Sequence, residues 1–255
     1  MPKVKTAHVQ TSRIQTHLPT TAFPAIPQAA EDARDLRNFF AAPGGTPRFA
    51  KVDDAGAIVD DQVTGKTLRQ RFQAVADSIT DRNDALVVVL ESHMLTGAKD
   101  KFIIASDSDN QPATEDTPTG DEIAAILAKV ASRGCKVLLF LDTSHEKAPK
   151  ECRDGLTDFV RSVSNRGVIT FVAATSGVSR PLNTGHGAFA ESILHVFDAR
   201  ARSRPLLDIN KPMTLDDFQD AVLSQVLELT GRKQFAGYYP PYTISSNSLI
   251  FEPNK

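Results

Sequence analysis

Three continuous apolar runs, LVVVLE ending at Glu91, VLLFLD ending at Asp142 and VITFVAATS ending at Ser176, constrain this chain more than any other feature. Runs of this length without polar alternation belong to strands buried on both faces, and a largely parallel sheet covered by helices is the architecture that buries strands so. The segments between them read as helices. AAEDARDLRNFFAA sets Ala29, Ala33, Leu36, Phe39 and Phe40 at helical spacing, and KTLRQRFQAVADSIT does the same with Leu68, Phe72, Val75 and Ile79. Thr119 with Glu122, and Thr214 with Asp217, have the three-residue spacing of capped helix starts. CRDGLTDFVRSVSNRG and AFAESILHVFDAR complete the helical set, and SLIFEP reads as a closing strand.

This alternation predicts one α/β domain, a three-layer sandwich with a mostly parallel central sheet of about six strands flanked by helices. Its expected extent is 29–255. Residues 1–28, with Pro2, Pro19, Pro24 and Pro27, read as a poorly defined N-terminal segment whose strand-like piece is the polar alternation from Val4 to Val9.

Composition narrows the function. Lys and Arg number 29 against 31 Asp and Glu, a net charge of −2 that gives no general attraction to nucleic acid or anionic membrane. Tryptophan is absent and the three tyrosines fall between Tyr238 and Tyr242, which leaves no stacking platform for single strands. Cys135 and Cys152 are too few for a disulfide framework or a four-thiolate zinc site, so a reducing compartment is expected. The basic N-terminus lacks an apolar h-region and no run approaches a membrane span; a cytoplasmic protein is expected, unless upstream residues are missing. That leaves chemistry at a local site or protein partners.

In parallel sheets the site forms beyond the carboxyl ends of the strands. Here those ends are Glu91-Ser92-His93, Asp142-Thr143-Ser144-His145 and Thr175-Ser176-Gly177. ALVVVLESHM with its acidic loop, KVLLFLDTSHEKA, FVAATS and GHGAFAESIL follow in that order, joined by AAEDARDL upstream and LDDFQDAV downstream. Together they resemble the caspase-like peptidases, in particular the metacaspase and bacterial branch, over roughly 29–252.

The resemblance implies a caspase-haemoglobinase-like fold with a protein or peptide as partner, and it assigns positions. His93 falls on the general base and Ser144 on the cysteine nucleophile. Asp142 falls on an acidic residue lining a pocket for Arg or Lys, with Ser176 near the side of that pocket. His186-Gly187-Ala188-Phe189 falls on the helix-start motif, and AAEDARDL is similar to the Asp-Ala pair of the family's first helix. Two departures bear on chemistry. Serine lacks the accessible thiolate of cysteine and normally needs a base oriented by a third group plus a formed oxyanion hole. Met94 stands where the family has a glycine whose amide serves that hole.

The expectation is therefore a pseudo-peptidase acting in regulation or protein interaction. The alternative is an endopeptidase cleaving after basic residues with His93 and Ser144, or with Cys152 as a relocated nucleophile. A remote alternative is a metal-ion-dependent adhesion-type domain, because Asp142-Thr143-Ser144 opens an Asp-x-Ser-x-Ser pattern that Glu146 then breaks. No metal or cofactor is expected. Calcium held by Asp107, Asp109, Glu115, Asp116 and Asp121 is the alternative to a solvated acidic loop, whose spacing lacks the glycine and final glutamate of an EF-hand. SLIFEP leaves dimerisation open as an edge strand.

Overall fold

A computed structural model describes residues 3–10, 26–41, 51–58, 64–92, 94–96, 101–103, 118–143, 150–176, 178–196, 212–245 and 248–251. The polar N-terminal alternation forms β1 (Lys3–Gln10), followed by α1 (Ala29–Ala41), β2 (Lys51–Ile58) and α2 (Gly65–Ser78). Then come β3 (Ala85–Glu91), β4 (Met94–Thr96), β5 (Lys101–Ile103), α3 (Gly120–Ala131) and β6 (Lys136–Asp142). The chain continues through α4 (Lys150–Asn165), β7 (Ile169–Ser176), α5 (Ala188–His195), β8 (Met213–Thr214), α6 (Leu215–Leu229), β9 (Phe235–Tyr239) and β10 (Leu249–Phe251).

The helices start where their sequence tells them to. Thr119 accepts from the Glu122 amide at 3.0 Å while the Glu122 carboxylate accepts from the Thr119 amide at 2.9 Å. Thr214 and Asp217 make the same reciprocal pair at α6, and Thr64 and Thr67 make it at α2. Each box satisfies amides that the first helical turn leaves without a partner.

Backbone pairing orders the main sheet β2-β1-β3-β6-β7-β9. The pairs from β2 through β7 are parallel and β9 joins antiparallel, so the sheet is mixed. One expected strand went elsewhere: the SLIFEP run pairs with Met213–Thr214. Phe102 and Ile103 pair with β4 as a small hairpin outside the main sheet. The edge instead goes to Phe235–Tyr239, a strand the sequence reading did not identify. It lacks a long apolar run and carries Gly237, and it stops at Pro240-Pro241. The glycine is required, since a Cβ there would lie 2.2 Å from Thr175 Cγ2.

Alternation along the strands divides the core in two. Leu86, Val88 and Leu90 of β3 pack with Val137, Leu139 and Leu141 of β6 under α2, α3 and α4. Val87, Val89, Leu138 and Phe140 face the other way, with Phe171, toward α1, α5 and α6. On that second face Phe140 stacks on Phe171 at 5.1 Å between ring centroids, and Phe218 meets Phe171 edge-on at 5.4 Å. Cys135 is buried at the start of β6, its thiol against the Asp81 carbonyl at 3.2 Å. Among the described residues no helix is long and apolar enough to cross a membrane.

Candidate functional site

The pleat decides what gathers at the strand ends. Glu91 follows Val87 and Val89 on β3, and Asp142 follows Leu138 and Phe140 on β6, so both carboxylates emerge on the face that α1 and α5 cover. They are register partners across the parallel pair. Helix α1 brings a third carboxylate, Asp32, which is 0% exposed.

Asp32 is held by the turn that leads into α5. Its Oδ1 lies 2.6 Å from His186 Nδ1, and its Oδ2 accepts from the Gly187 amide at 2.9 Å. That amide belongs to the N-cap residue of α5, so one buried side chain ties the start of α5 to the first turn of α1. Ser179, also buried, donates its hydroxyl to Asp142 Oδ2 at 2.8 Å.

Burial of three acids together has a strong electrostatic consequence. Desolvation pushes the Asp142 carboxyl from 3.8 up to about 7, against the lowering effect of the Ser179 hydrogen bond. Burial also raises Asp32 to about 7, although the Gly187 amide and His186 pull it down. Glu91 is raised well above its ordinary value, by burial first and then by the charges of Asp32 and Asp142. Burial works against charge on His186, yet the Asp32 hydrogen bond and its charge outweigh that and raise the imidazole pKa. The cluster thus favours protons or another cation at neutral pH.

Of the residues singled out from the sequence, Asp142 is in this cluster, and the Asp-Ala pair of α1 supplies Asp32 to it. His93, Ser144 and the acidic-loop residues Asp107, Asp109, Glu115 and Asp116 lie outside the described residues. Asp121, the remaining member of that loop, starts α3 and pairs loosely with Arg166 at 3.9 Å. Ser176 ends β7 opposite Phe235, with its backbone alone described, and Cys152 lies in α4 on the same terms. Sequence reasoning missed Glu91 and Ser179. The two-residue alternation that placed Val87 and Val89 on one face was the available signal for Glu91; Ser179 had none.

The chain matches no family model and no curated protein. What bears on function is therefore the geometry itself. An open cavity of about 550 Å³ exists, lined by Cys135, Lys136, Arg166, Gly167 and Tyr242 among others. It opens at the amino ends of β6 and β7, opposite to the strand ends where parallel sheets place their sites.

Proposed function

We propose that this chain is a caspase-like α/β domain, layered helix–sheet–helix in the caspase-haemoglobinase manner, that recognises a basic residue of a protein or peptide partner without hydrolysing it. The reading rests on one observation: Asp32, Glu91 and Asp142 meet as buried carboxylates at the carboxyl ends of β3 and β6. A Lys or Arg side chain reaching them would bring a positive charge to the cluster, and its charge would offset desolvation already incurred in folding. Asp142 is also the position that the resemblance assigns to a pocket for Arg or Lys. Two sequence features support the absence of hydrolysis: Ser144 lacks the ready thiolate of a cysteine, and Met94 keeps the backbone amide of the family's glycine but puts a side chain where a substrate backbone would approach.

Two measurements test this on the purified full chain. Arg- and Lys-containing reporter peptides are expected to remain intact with the wild-type protein. Cleavage abolished by His93→Ala would establish the endopeptidase reading instead. Titration calorimetry with the same peptides is expected to show binding that weakens at least tenfold in Asp142→Asn and is lost when Arg or Lys is replaced by norleucine. Equal binding of the norleucine peptide would overturn basic-residue recognition.

A further inference from the structure

His186 has a second face that the carboxylate cluster does not use. Its Nδ1 is committed to Asp32, which accepts the N–H and leaves Nε2 as the lone-pair nitrogen of the neutral ring. Nε2 points toward α1, where Glu31 and Asp35 lie one helical turn apart. Asp35 Oδ2 is 3.4 Å from Nε2, beyond the roughly 2.7–3.2 Å of a good N–H···O hydrogen bond. No hydrogen bond from another described residue reaches that nitrogen.

We propose that His186 Nε2, Asp35 and Glu31 form a binding site for a divalent transition cation of the zinc class, distinct from the carboxylate cluster and independent of the function proposed above. One ligand atom from each residue lies within 4.8 Å of the others. Two atoms each about 2.1 Å from a tetrahedral zinc stand about 3.4 Å apart, and Nε2 and Asp35 Oδ2 already have that separation. Glu31 is exposed, so a rotamer change can bring its carboxylate in.

The supporting arrangement points to a metal more than to a surface ion pair. A fully buried carboxylate bonded at 2.6 Å to the distal nitrogen of a metal-binding imidazole is the outer-sphere partner that fixes tautomer and ring orientation and raises ligand basicity. Gly185, at φ +97°, carries the chain past Glu31 in a backbone conformation that a side chain rarely adopts. One imidazole with two carboxylates suits zinc or its neighbours better than calcium or magnesium, which prefer all-oxygen shells. Water completes the coordination, and the site ties α1 to the entry of α5 from outside as Asp32 ties them from inside.

The test uses the metal alone. Full-length protein stripped with chelator and titrated calorimetrically with Zn²⁺ is expected to take up one ion through this site, and Co²⁺ is expected to give the visible absorption of a four- or five-coordinate centre. The double variant Glu31→Gln, Asp35→Asn, confirmed folded by circular dichroism, is expected to lose at least tenfold in Zn²⁺ affinity together with the Co²⁺ bands. Unchanged Zn²⁺ affinity in the double variant, as uptake by a cysteine or another histidine would give, overturns the proposal. So does failure of the wild-type chain to bind either ion.

Discussion

Glu91 and Asp142 are register partners on adjacent parallel strands, and both carboxylates are buried on the same face of the sheet. Side-by-side placement of two acids, with Asp32 above them, makes the region sensitive to protons before any ligand is considered.

Asp142 binds more protons in the folded chain than in the unfolded one between pH 3.8 and about 7. Its contribution to stability therefore falls as pH rises through that window, and Asp32 behaves the same way. His186, also raised, contributes stability that is full below its ordinary 6.5 and lost as pH rises through its folded value. All three act in one direction, so urea denaturation is expected to show a more stable chain at pH 5 than at pH 8. Asp142→Asn should flatten this dependence and gain on the order of 2 kcal/mol at pH 8. A variant less stable than wild type at pH 8 would contradict the account.

Asp32→Ala removes the acceptor of both the Gly187 amide and the His186 imidazole. Loss of two buried hydrogen bonds, one of them charge-assisted, is expected to cost about 3 kcal/mol, measured by urea denaturation at pH 7. Hydrogen exchange should speed up first at the start of α5, because that is where the freed amide lies. Unaltered protection there would argue against Asp32 as the tie.

Phe140 contacts Phe171, Phe189, Phe218 and Phe40 at the centre of the second core. Phe140→Ala is expected to destabilise by about 3–5 kcal/mol through lost transfer energy and the cavity left behind. The midpoint of chemical unfolding reads this directly.

Gly237→Ala puts a methyl against Thr175 Cγ2, where rigid strand backbone carries both partners. A cost of about 1–3 kcal/mol is expected from this overpacking. Thr175→Ser removes the offending methyl while keeping the hydroxyl that donates to the Phe235 carbonyl at 3.0 Å. The double variant should recover much of the loss in a thermodynamic cycle; additive losses would show that the crowding lies elsewhere.

Local spacing carried the elements well. The three apolar runs became β3, β6 and β7, and the caps at Thr119 and Thr214 start α3 and α6 as the sequence predicts. The site was legible in part. Asp142 was singled out because it ends an apolar strand and the resemblance places it on a pocket position, whereas Glu91 had the strand end alone, and Ser179 sits in a stretch with no periodicity and reaches Asp142 from 37 residues away. The closing run SLIFEP reads as a strand correctly, yet its partner could not be read, because strand pairing depends on where α6 leaves the chain.

The amino-acid sequence by itself determined the alternation of helices and strands, the two-sided burial of the central strands and the helix starts, because each follows from residues within a turn or two of one another. Only the tertiary structure decided that β9 would take the antiparallel edge and that Asp32 would meet His186, 154 residues away, beside Glu91 and Asp142. Strand order and helix placement bring those groups together, and these are settled by how the two faces of the sheet bury their apolar surface rather than by any local spacing.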